Sequence, residues 1–456
     1  MAPYKLNKSL EVGFYEIEKK FDFKNITANN VPVWQFLRNI ACSKLLSPVS
    51  KSKKSTASKL KNLLRTSSLR SNPIPSDYVL FTDRYELVKN NDGVFVDKIS
   101  QSIINTLKEN LLLVISEPQG FKGSIKNVNS FLDASFFHIK RRLTPWVKVP
   151  HINGLTELAL AFKDLGLDSN NSQLEKYIYL FFVYCSIFDS WLSKISPKVV
   201  FINCSYSLFH QSLIYSCNLK KIKTVEMQHG LISSEHVHYS PSSDIGKETF
   251  PKYLLTFSDY HSKFINDNFI DKANIFPTGH YFREYKNTFL SESCLGLCKV
   301  LRKKYDKIIL VSSQRIVESE LCKAINYFAE KRPNYVFIFK QRQATDLVFK
   351  HSNIIVDRDH SIYDFINLVD INLSCFSTSV LEFSSSKTIG VLLDFNSLAS
   401  NYFAKIKEDS SNIFICKNRQ EALRVLSRKS NNTKVVEFYK SNNTNNVVSF
   451  LRNLIL

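Results

Sequence analysis

The chain contains 456 residues, of which 44% are hydrophobic, and this is enough for two or three domains with cores of their own. No run of about 18 apolar residues is present and the amino terminus lacks the apolar segment of a signal peptide, so we expect a cytoplasmic protein without a membrane-spanning helix. The nine scattered cysteines are typical of reduced, buried thiols and argue against a structural zinc site.

Half of the net charge of +20 lies in one stretch near the amino terminus. Residues 23–76 contain ten Lys and Arg and neither Asp nor Glu. Leucines at helical spacing between residues 60 and 69 give the middle of this stretch an apolar stripe with basic surroundings. Residues 48–72 are therefore predicted either to lie on an anionic membrane surface, where each Lys or Arg contributes about 1 kcal/mol, or to form a solvated linker. Nucleic acid binding is disfavoured because no aromatic-basic recognition motif is present.

Strands alternate with helices through the first half of the chain, after a short helical element at the amino terminus. This alternation predicts a parallel sheet that is covered by helices on both faces. The predicted strands are 78–82, 110–116, 198–203, 222–225, 253–257 and 274–277, and the predicted helices are 97–109, 172–195 and 208–217.

A second series of the same kind follows, which predicts an α/β fold of two Rossmann-like domains that face each other across a cleft. Its strands are predicted at 307–311, 335–339, 353–356, 370–373 and 388–394, and its helices at 317–331, at 361–368 and from residue 379. The predicted organisation is a helical element at 1–47, a basic segment at 48–76, a first domain at 77–290, a second domain at 300–440 and a terminal helix at 441–456.

A polar cluster follows the strand predicted at 222–225, where ligands bind in α/β proteins. It consists of Glu226, Gln228, His229 and Gly230, and His236 and His238 follow within ten residues of His229. Histidine moves protons near neutral pH because its ordinary pKa is about 6.5. The cluster therefore predicts a proton-transfer site; the alternative is a buried structural histidine beside an ordinary turn.

The second half of the chain contains a candidate anion site. Hydroxyl groups at a strand-to-helix junction, basic residues after a neighbouring strand and one carboxylate make up this site: Ser377, Thr378, Ser379, Lys340, Arg342 and Glu382. Exposed N–H groups and hydroxyls at a helix start bind phosphate well. The alternatives are a plain helix cap and solvated surface cations.

Several common nucleotide-site and catalytic motifs are absent from the sequence. The glycine-rich fingerprints of NAD enzymes and of P-loop ATPases do not occur, and neither does the Gly-x-Ser-x-Gly motif of serine hydrolases. We therefore expect chemistry that needs no metal ion and no cofactor.

With these residues in place, the chain resembles bacterial glycosyltransferases of the two-domain GT-B type, in particular the group that builds capsule and O-antigen. The segments that carry this resemblance are 199–203, 223–230, 236–239, 250–257, 277–280 and 377–382. Many members of that group have Lys-x-His-Pro where this chain has Lys340-Gln-Arg342-Gln. The resemblance implies a nucleotide-sugar donor, a lipid-linked glycan acceptor and a location at the inner face of the cytoplasmic membrane.

The resemblance also implies roles for the candidate residues. Ser377, Thr378 and Ser379 would bind the donor phosphates, Lys340 and Arg342 would offset the leaving charge, and Glu382 would bind ribose. Gln228 and Gly230 would line the donor site, His229 or His236 would accept the acceptor proton, Glu226 would orient a histidine, and Asp83 is a second candidate base. Two alternatives remain open: a transferase of polyol phosphate from CDP-glycerol or CDP-ribitol, and a non-catalytic scaffold of a polysaccharide assembly complex.

Overall fold

The computed structural model describes residues 10–46, 75–90, 92–116, 123–128, 131–144, 150–234, 236–314, 317–341, 347–384, 388–428 and 436–455. These residues form two compact units. The first unit holds the described residues up to 256 together with 261–281 and 443–455, and the second unit holds 257–260 and 282–442. Arg342 and residues 48–74 of the predicted basic segment lie outside the described residues.

The amino-terminal element consists of two helices and a small antiparallel strand pair: α1 Leu10–Lys20, β1 Thr27–Ala28, β2 Val31–Pro32 and α2 Trp34–Leu46. Its aromatic side chains are buried in the core of the first unit. Trp34 stacks on Phe23 with ring centroids 4.1 Å apart, and Phe36 stacks on Phe181 at 4.1 Å. The amino-terminal helices therefore share a core with the sheet that follows.

The first unit contains a sheet of seven parallel strands with a small hairpin beside it. Its strands are β3 Tyr78–Asp83, β6 Leu111–Ser116, β7 Phe131–Asp133, β8 Val199–Ile202, β9 Lys223–Met227, β10 Tyr253–Thr256 and β11 Ile275–Pro277, and the hairpin is β4 Leu87–Lys89 and β5 Phe95–Asp97. The strand order is β11-β10-β9-β8-β3-β6-β7. Strands β6 and β7 thus follow β3 on one side of the sheet, and β8 to β11 follow on the other. The switch point of the strand order lies between β3 and β8, and ligands bind at such points in parallel sheets.

Helices cover this sheet: α3 Gln101–Leu107, α4 Ser135–Leu143, α5 Leu155–Asp164, α6 Asn171–Ile195 and α7 Leu208–Leu219. Asn170 begins α6 by accepting a hydrogen bond from the Gln173 N–H at 2.9 Å. Among the described helices, α6 is the one whose length and composition are sufficient to cross a membrane, but 61% of its most apolar window is buried inside the protein. That burial is typical of the core helix of a globular unit.

The second unit contains six parallel strands in the order β14-β13-β12-β15-β16-β17. The remaining elements are α8 Asp259–Ser262, α9 Tyr281–Thr288, α10 Glu292–Lys304, β12 Lys307–Ser312, α11 Glu318–Lys331, β13 Tyr335–Lys340, β14 Ile354–Asp357, β15 Ile371–Ser374, α12 Ser379–Ser384, β16 Ile389–Leu393, α13 Leu398–Asp409, β17 Ile413–Cys416, α14 Arg419–Leu426 and α15 Asn443–Ile455. The final helix, α15, packs in the first unit against α3. The switch point of this sheet lies between β12 and β15, and the predicted α/β class with two Rossmann-like sheets is confirmed.

Several predicted elements have different bounds in the structure. The helix predicted at 97–109 spans only Gln101–Leu107, because Asp97 ends β5. Strand β9 continues two residues beyond the predicted end, because Glu226 and Met227 pair with Leu254 and Leu255 of β10. The helix predicted at 361–368 is wrong: a single 3-10 turn, Ile362–Phe365, takes its place and is followed by Asn367 at φ 66°. A left-handed residue at that point cannot continue a right-handed helix.

Candidate active site

His229 lies two residues beyond the carboxyl end of β9, at the edge of the first sheet. Its Nε2 and the Tyr206 hydroxyl are 2.8 Å apart. Its Nδ1 is buried without a hydrogen-bond partner of ordinary geometry, although the backbone carbonyl of Asn203 acts to raise the pKa of the ring. Burial is the larger effect and lowers the pKa of His229. The imidazole is therefore neutral at pH 7 and able to accept a proton.

Three further rings surround Tyr206. Its ring centroid is 5.2 Å from that of His236, 4.7 Å from that of His238 and 6.3 Å from that of Tyr239. Burial, followed by the nearby His229, lowers the pKa of His236 to about 4, so this second candidate base is a weak one. His238 is bonded through both ring nitrogens and is a structural residue.

The carboxyl group of Glu226 is fully buried in β9. One of its oxygens accepts hydrogen bonds from the Tyr239 hydroxyl at 2.9 Å and from the Ser205 N–H at 3.0 Å. The other oxygen is buried without a partner, and burial raises the pKa of this carboxyl to about 7. Its bonds run to Tyr239 and Ser205 and not to an imidazole; the Ser205 hydroxyl in turn lies 3.0 Å from His238 Nε2. Glu226, which was expected to orient a catalytic histidine, is thus linked through Ser205 to His238.

The amino-terminal helices hold the loop that carries these histidines. Arg38 and Glu18 form a buried ion pair, and Arg38 also donates to the carbonyl oxygen of Val237. The second carboxylate oxygen of Glu18 accepts the N–H of Ser242 at 2.6 Å. This ion pair was not predicted from the sequence; the available signal was a pair of opposite charges, Glu18 on α1 and Arg38 on α2.

Two charged residues that were not predicted from the sequence flank the hairpin β4–β5: Glu86 precedes it and Lys98 follows it. Glu86 acts to raise the pKa of His229 and Lys98 acts to lower it, and these two residues form an ion pair at 3.1 Å. The predicted second base, Asp83, ends β3 and is partly exposed. The charge of Asp83 raises the pKa of the Cys204 thiol, whereas the charge of Glu86 raises the pKa of His229.

In the second unit, Gln314 holds the polar loop at the switch point. Its side-chain oxygen accepts the N–H of Phe376 at 2.7 Å, the N–H of Cys375 at 3.3 Å and the hydroxyl of Ser374 at 3.1 Å. Gln314 follows β12 and the loop follows β15, so one amide joins the two strand ends of the switch point. The loop is thereby fixed where a ligand is expected.

The predicted hydroxyl residues lie in this loop and at the start of α12. The Ser377 hydroxyl accepts the N–H of Ser379 at 3.3 Å, and the Ser379 hydroxyl is buried without a partner. The Thr378 hydroxyl lies 3.5 Å from the carboxylate of Glu382. Arg283, which the sequence analysis did not identify, donates to the Glu382 backbone carbonyl at 3.0 Å and brings a guanidinium to α12.

Lys340 ends β13, as expected, but its ammonium is already engaged. It forms an ion pair with Asp357 and donates to the backbone carbonyl of His360, whose Nδ1 is 2.7 Å from the same carboxylate. Burial opposes ionisation of Asp357, yet the hydrogen bonds from these two residues hold its pKa below the usual value. Lys340 is therefore a paired cation that joins β13 to β14, and not a free one.

No group of His, Cys, Asp and Glu residues suited to a metal ion is found in the part of the chain that the structure describes. The nine cysteines are free thiols. Burial raises the pKa of Cys375 and of Cys416 to about 12, so these two thiols are not reactive at neutral pH.

No protein-family model matches the chain, and no curated protein matches its sequence. Solved structures do match. They include the UDP-GlcNAc 2-epimerase of Neisseria meningitidis bound to UDP-GlcNAc, with 13% identity, a TM-score of 0.52 and coverage of 82% of this chain and 99% of that one. The S. aureus MnaA structure with UDP has 10% identity, a TM-score of 0.52 and coverage of 84% and 97%. The UDP-GlcNAc 2-epimerase of Methanocaldococcus jannaschii has 13% identity, a TM-score of 0.50 and coverage of 82% and 99%. The chain shares the fold of these proteins.

Proposed function

We propose that the protein is a metal-independent glycosyltransferase that moves a sugar from a nucleotide-sugar donor to a lipid-linked glycan in surface-polysaccharide synthesis. The observation that carries this proposal is the polar loop at the switch point of the second sheet. Gln314 holds the loop in place, and the Ser379 hydroxyl is buried there without a partner. A buried hydroxyl without a partner costs about 1–3 kcal/mol, and a phosphate oxygen would satisfy it.

The donor phosphates are assigned to the loop at 377–379. Glu382 would accept bonds from ribose hydroxyls, and Arg283 would offset the charge on the departing nucleotide in place of the paired Lys340. Two proteins of the same fold were solved with UDP-GlcNAc or with UDP, which supports a nucleotide sugar as the donor. The GT-B resemblance of segments 199–203, 223–230 and 377–382 is the reason to prefer transfer to an acceptor over another reaction of the same donor.

Proton transfer is assigned to His229. Its neutral imidazole accepts the proton of the acceptor hydroxyl as the oxygen attacks the anomeric carbon, while the bond from that carbon to the phosphate oxygen breaks and its electron pair leaves with the nucleotide. A positioned general base of this kind accelerates a reaction by about 10²–10⁴-fold.

A panel of UDP-, GDP-, CMP- and dTDP-sugars, CDP-glycerol and CDP-ribitol tests this proposal by thermal stabilisation. A ligand at 100 times its Kd stabilises the folded state by about 2.7 kcal/mol, which is readily measured. We expect one class of sugar nucleotide to raise the Tm and to be consumed only when a glycan acceptor is present. Stabilisation by CDP-polyols alone would identify a polyol phosphotransferase, and stabilisation by no nucleotide would favour a scaffold.

The structural neighbours favour a second candidate, epimerisation of the donor sugar at C2. Incubation of UDP-GlcNAc with the protein in D₂O, without acceptor, separates the two functions. Epimerisation through loss of the C2 proton incorporates deuterium at that carbon, whereas glycosyl transfer leaves the C2–H bond intact. Deuterium at C2 of the recovered sugar would replace the transferase proposal.

A further inference from the structure

Tyr206 lies on a loop that is fixed at several points. The loop joins β8 to α7, and its Ser205 N–H donates to buried Glu226 at 3.0 Å. One residue after Tyr206, the Ser207 hydroxyl caps α7 by accepting the His210 N–H at 3.1 Å. The backbone on both sides of Tyr206 is thus held by buried or capping hydrogen bonds, so the phenol has a defined position.

The phenol ring is also fixed by its neighbours. His229 lies on one side with ring centroids 5.5 Å apart, and His236, His238 and Tyr239 complete an aromatic surround. These rings leave the hydroxyl directed at His229 Nε2, 2.8 Å away. Tyr206 itself remains partly exposed.

This arrangement leaves no ring nitrogen of His229 open to a substrate. Nδ1 is buried, and Nε2 is covered by the Tyr206 hydroxyl. A neutral imidazole has one donor and one acceptor nitrogen, whereas a phenol oxygen can accept one hydrogen bond while it donates another. The oxygen of Tyr206 is therefore the atom through which a proton can reach Nε2.

We propose that Tyr206 is a catalytic residue that relays the proton of the acceptor hydroxyl to His229; this rests on the proposed glycosyl transfer. The acceptor O–H gives its proton to the Tyr206 oxygen while the Tyr206 O–H gives its own proton to Nε2. The acceptor oxygen forms its bond to the anomeric carbon, and the carbon–phosphate-oxygen bond breaks with its electron pair leaving on the nucleotide. The products are the glycoside, the nucleotide, an imidazolium and an unchanged phenol.

The chemistry of the phenol suits a relay. Burial, together with the neighbouring Cys204, raises the pKa of Tyr206 well above its usual value, so the hydroxyl stays protonated at neutral pH and is not itself the final base. The acceptor hydroxyl, as a second hydrogen-bonding partner of the Tyr206 oxygen, would complete the chain of donors.

Kinetics of Tyr206→Phe test the relay, with Tyr215→Phe as the matched control because Tyr215 packs on Phe181 at the opposite end of α7. With the donor selected by the nucleotide panel, we expect kcat to fall by about 10²-fold and the donor KM to stay unchanged. In mixtures of H₂O and D₂O, the rate should show two protons in flight for the wild type and one for Tyr206→Phe. If the acceptor instead displaces the phenol, Tyr206→Phe keeps its activity and the relay is wrong.

His229→Ala separates the relay from the assignment of the base. Full transfer activity of His229→Ala overturns both, whereas an inactive His229→Ala beside a fully active Tyr206→Phe overturns the relay alone. Glycosyl transfer itself is tested separately, by the nucleotide panel and by deuterium incorporation at C2. A measurement without substrate uses ¹⁵N-labelled histidine and NMR. We expect His229 to carry its proton on Nδ1 and to accept a hydrogen bond at Nε2 that Tyr206→Phe removes. A proton on Nε2 would reverse the direction of that bond and end the proposal.

Discussion

The carboxyl ends of the two sheets differ in chemistry although the strand order around their switch points is the same. The first sheet ends in imidazoles and phenols, with His229 and Tyr206 at their centre. The second ends in hydroxyls, an amide and a guanidinium, with Gln314 holding the loop. Topology places polar residues at the same edge in both units, and residue type then decides the chemistry. The first edge is suited to moving protons and the second to binding an anion.

The buried charges of the two units also differ. In the first unit the Glu226 carboxyl has no cationic partner, and burial raises its pKa to about 7. In the second unit Asp357 is paired with Lys340 and His360, and its pKa is lowered. Burial without a cationic partner favours the protonated carboxyl, whereas pairing with a cation favours the charged one. Variants at each edge test whether proton transfer and anion binding are separated between the two sheets.

The largest expected effect is on the chemical step. His229→Ala should lower kcat by about 10²–10⁴-fold because it removes the proton acceptor, while donor binding stays unchanged. Steady-state kinetics and thermal stabilisation by the donor measure the two quantities separately. The control is His138→Ala, since His138 is exposed on α4 and bonds to the Tyr184 hydroxyl at 2.7 Å. A loss of donor binding in His229→Ala would mean that the first edge also holds the donor.

The next effect is on the pH dependence of stability. The folded pKa of Glu226, about 7, is above its ordinary value of 4.5, so the folded state binds this proton more tightly than the unfolded state. Stability is therefore lost as pH rises from about 4.5 to 7, and the cost above pH 7 is about 3 kcal/mol. Glu226→Gln should remove this loss while the Gln oxygen keeps the bonds from Tyr239 and Ser205.

Urea unfolding at pH 5 and pH 8 measures this difference. The free energy of unfolding of Glu226→Gln minus that of the wild type should be larger at pH 8 than at pH 5. Burial also raises the pKa of Asp97, to about 6. Asp97 therefore makes the stability of both proteins fall with rising pH, and its contribution cancels when the two proteins are compared. Parallel pH profiles for the two proteins would show that Glu226 is ionised in the folded state.

A smaller effect is expected on donor affinity. Gln314→Glu keeps an acceptor for the loop N–H groups of Phe376 and Cys375 but adds a negative charge beside the proposed phosphate site. We expect the donor KM to rise about 10-fold, equivalent to about 1.4 kcal/mol, with little change in kcat. Gln314→Ala should raise KM and also lower the Tm, because the loop loses its anchor. An unchanged KM in Gln314→Glu would place the donor elsewhere.

The smallest effect on turnover is expected from deletion of residues 48–72. If this basic segment binds anionic lipid, the deletion should reduce flotation with anionic liposomes and leave turnover of a soluble acceptor unchanged, because attraction to such a surface adds about 1 kcal/mol per Lys or Arg. Flotation with neutral liposomes is the control. Equal flotation of the two proteins with anionic lipid would identify the segment as a linker.

Much of the fold was predictable because it follows from local patterns. Buried strands such as β12 and β13 are continuous apolar runs, and parallel strands need crossover helices between them. The edge strands β7 and β17 were missed, although strands of the same length, β11 and β14, were predicted. The end of β9 was misplaced because Glu226 is an acidic residue in a buried strand, and only its pairing with β10 explains it.

The candidate site was predictable only in part. His229 was recognisable from its position after a strand, whereas Tyr206 had no local signal and is identified by a contact across 23 residues of sequence. Lys340 was expected as a phosphate ligand, but Asp357, 17 residues further on, engages its charge. Arg283 reaches Glu382 across 99 residues. Such pairings depend on the packed structure and leave no trace in the spacing of residues.

The sequence alone determined the α/β class, the two series of strands and the strand ends that carry polar residues, because hydrophobic periodicity and turn residues act over a few neighbouring positions. Only the tertiary structure decided which of those polar residues are free to act. Arg38 and Glu18 hold the histidine loop, and Asp357 neutralises Lys340, through contacts that form when distant segments pack together. A buried polar group must find a partner, and the fold determines which one it finds.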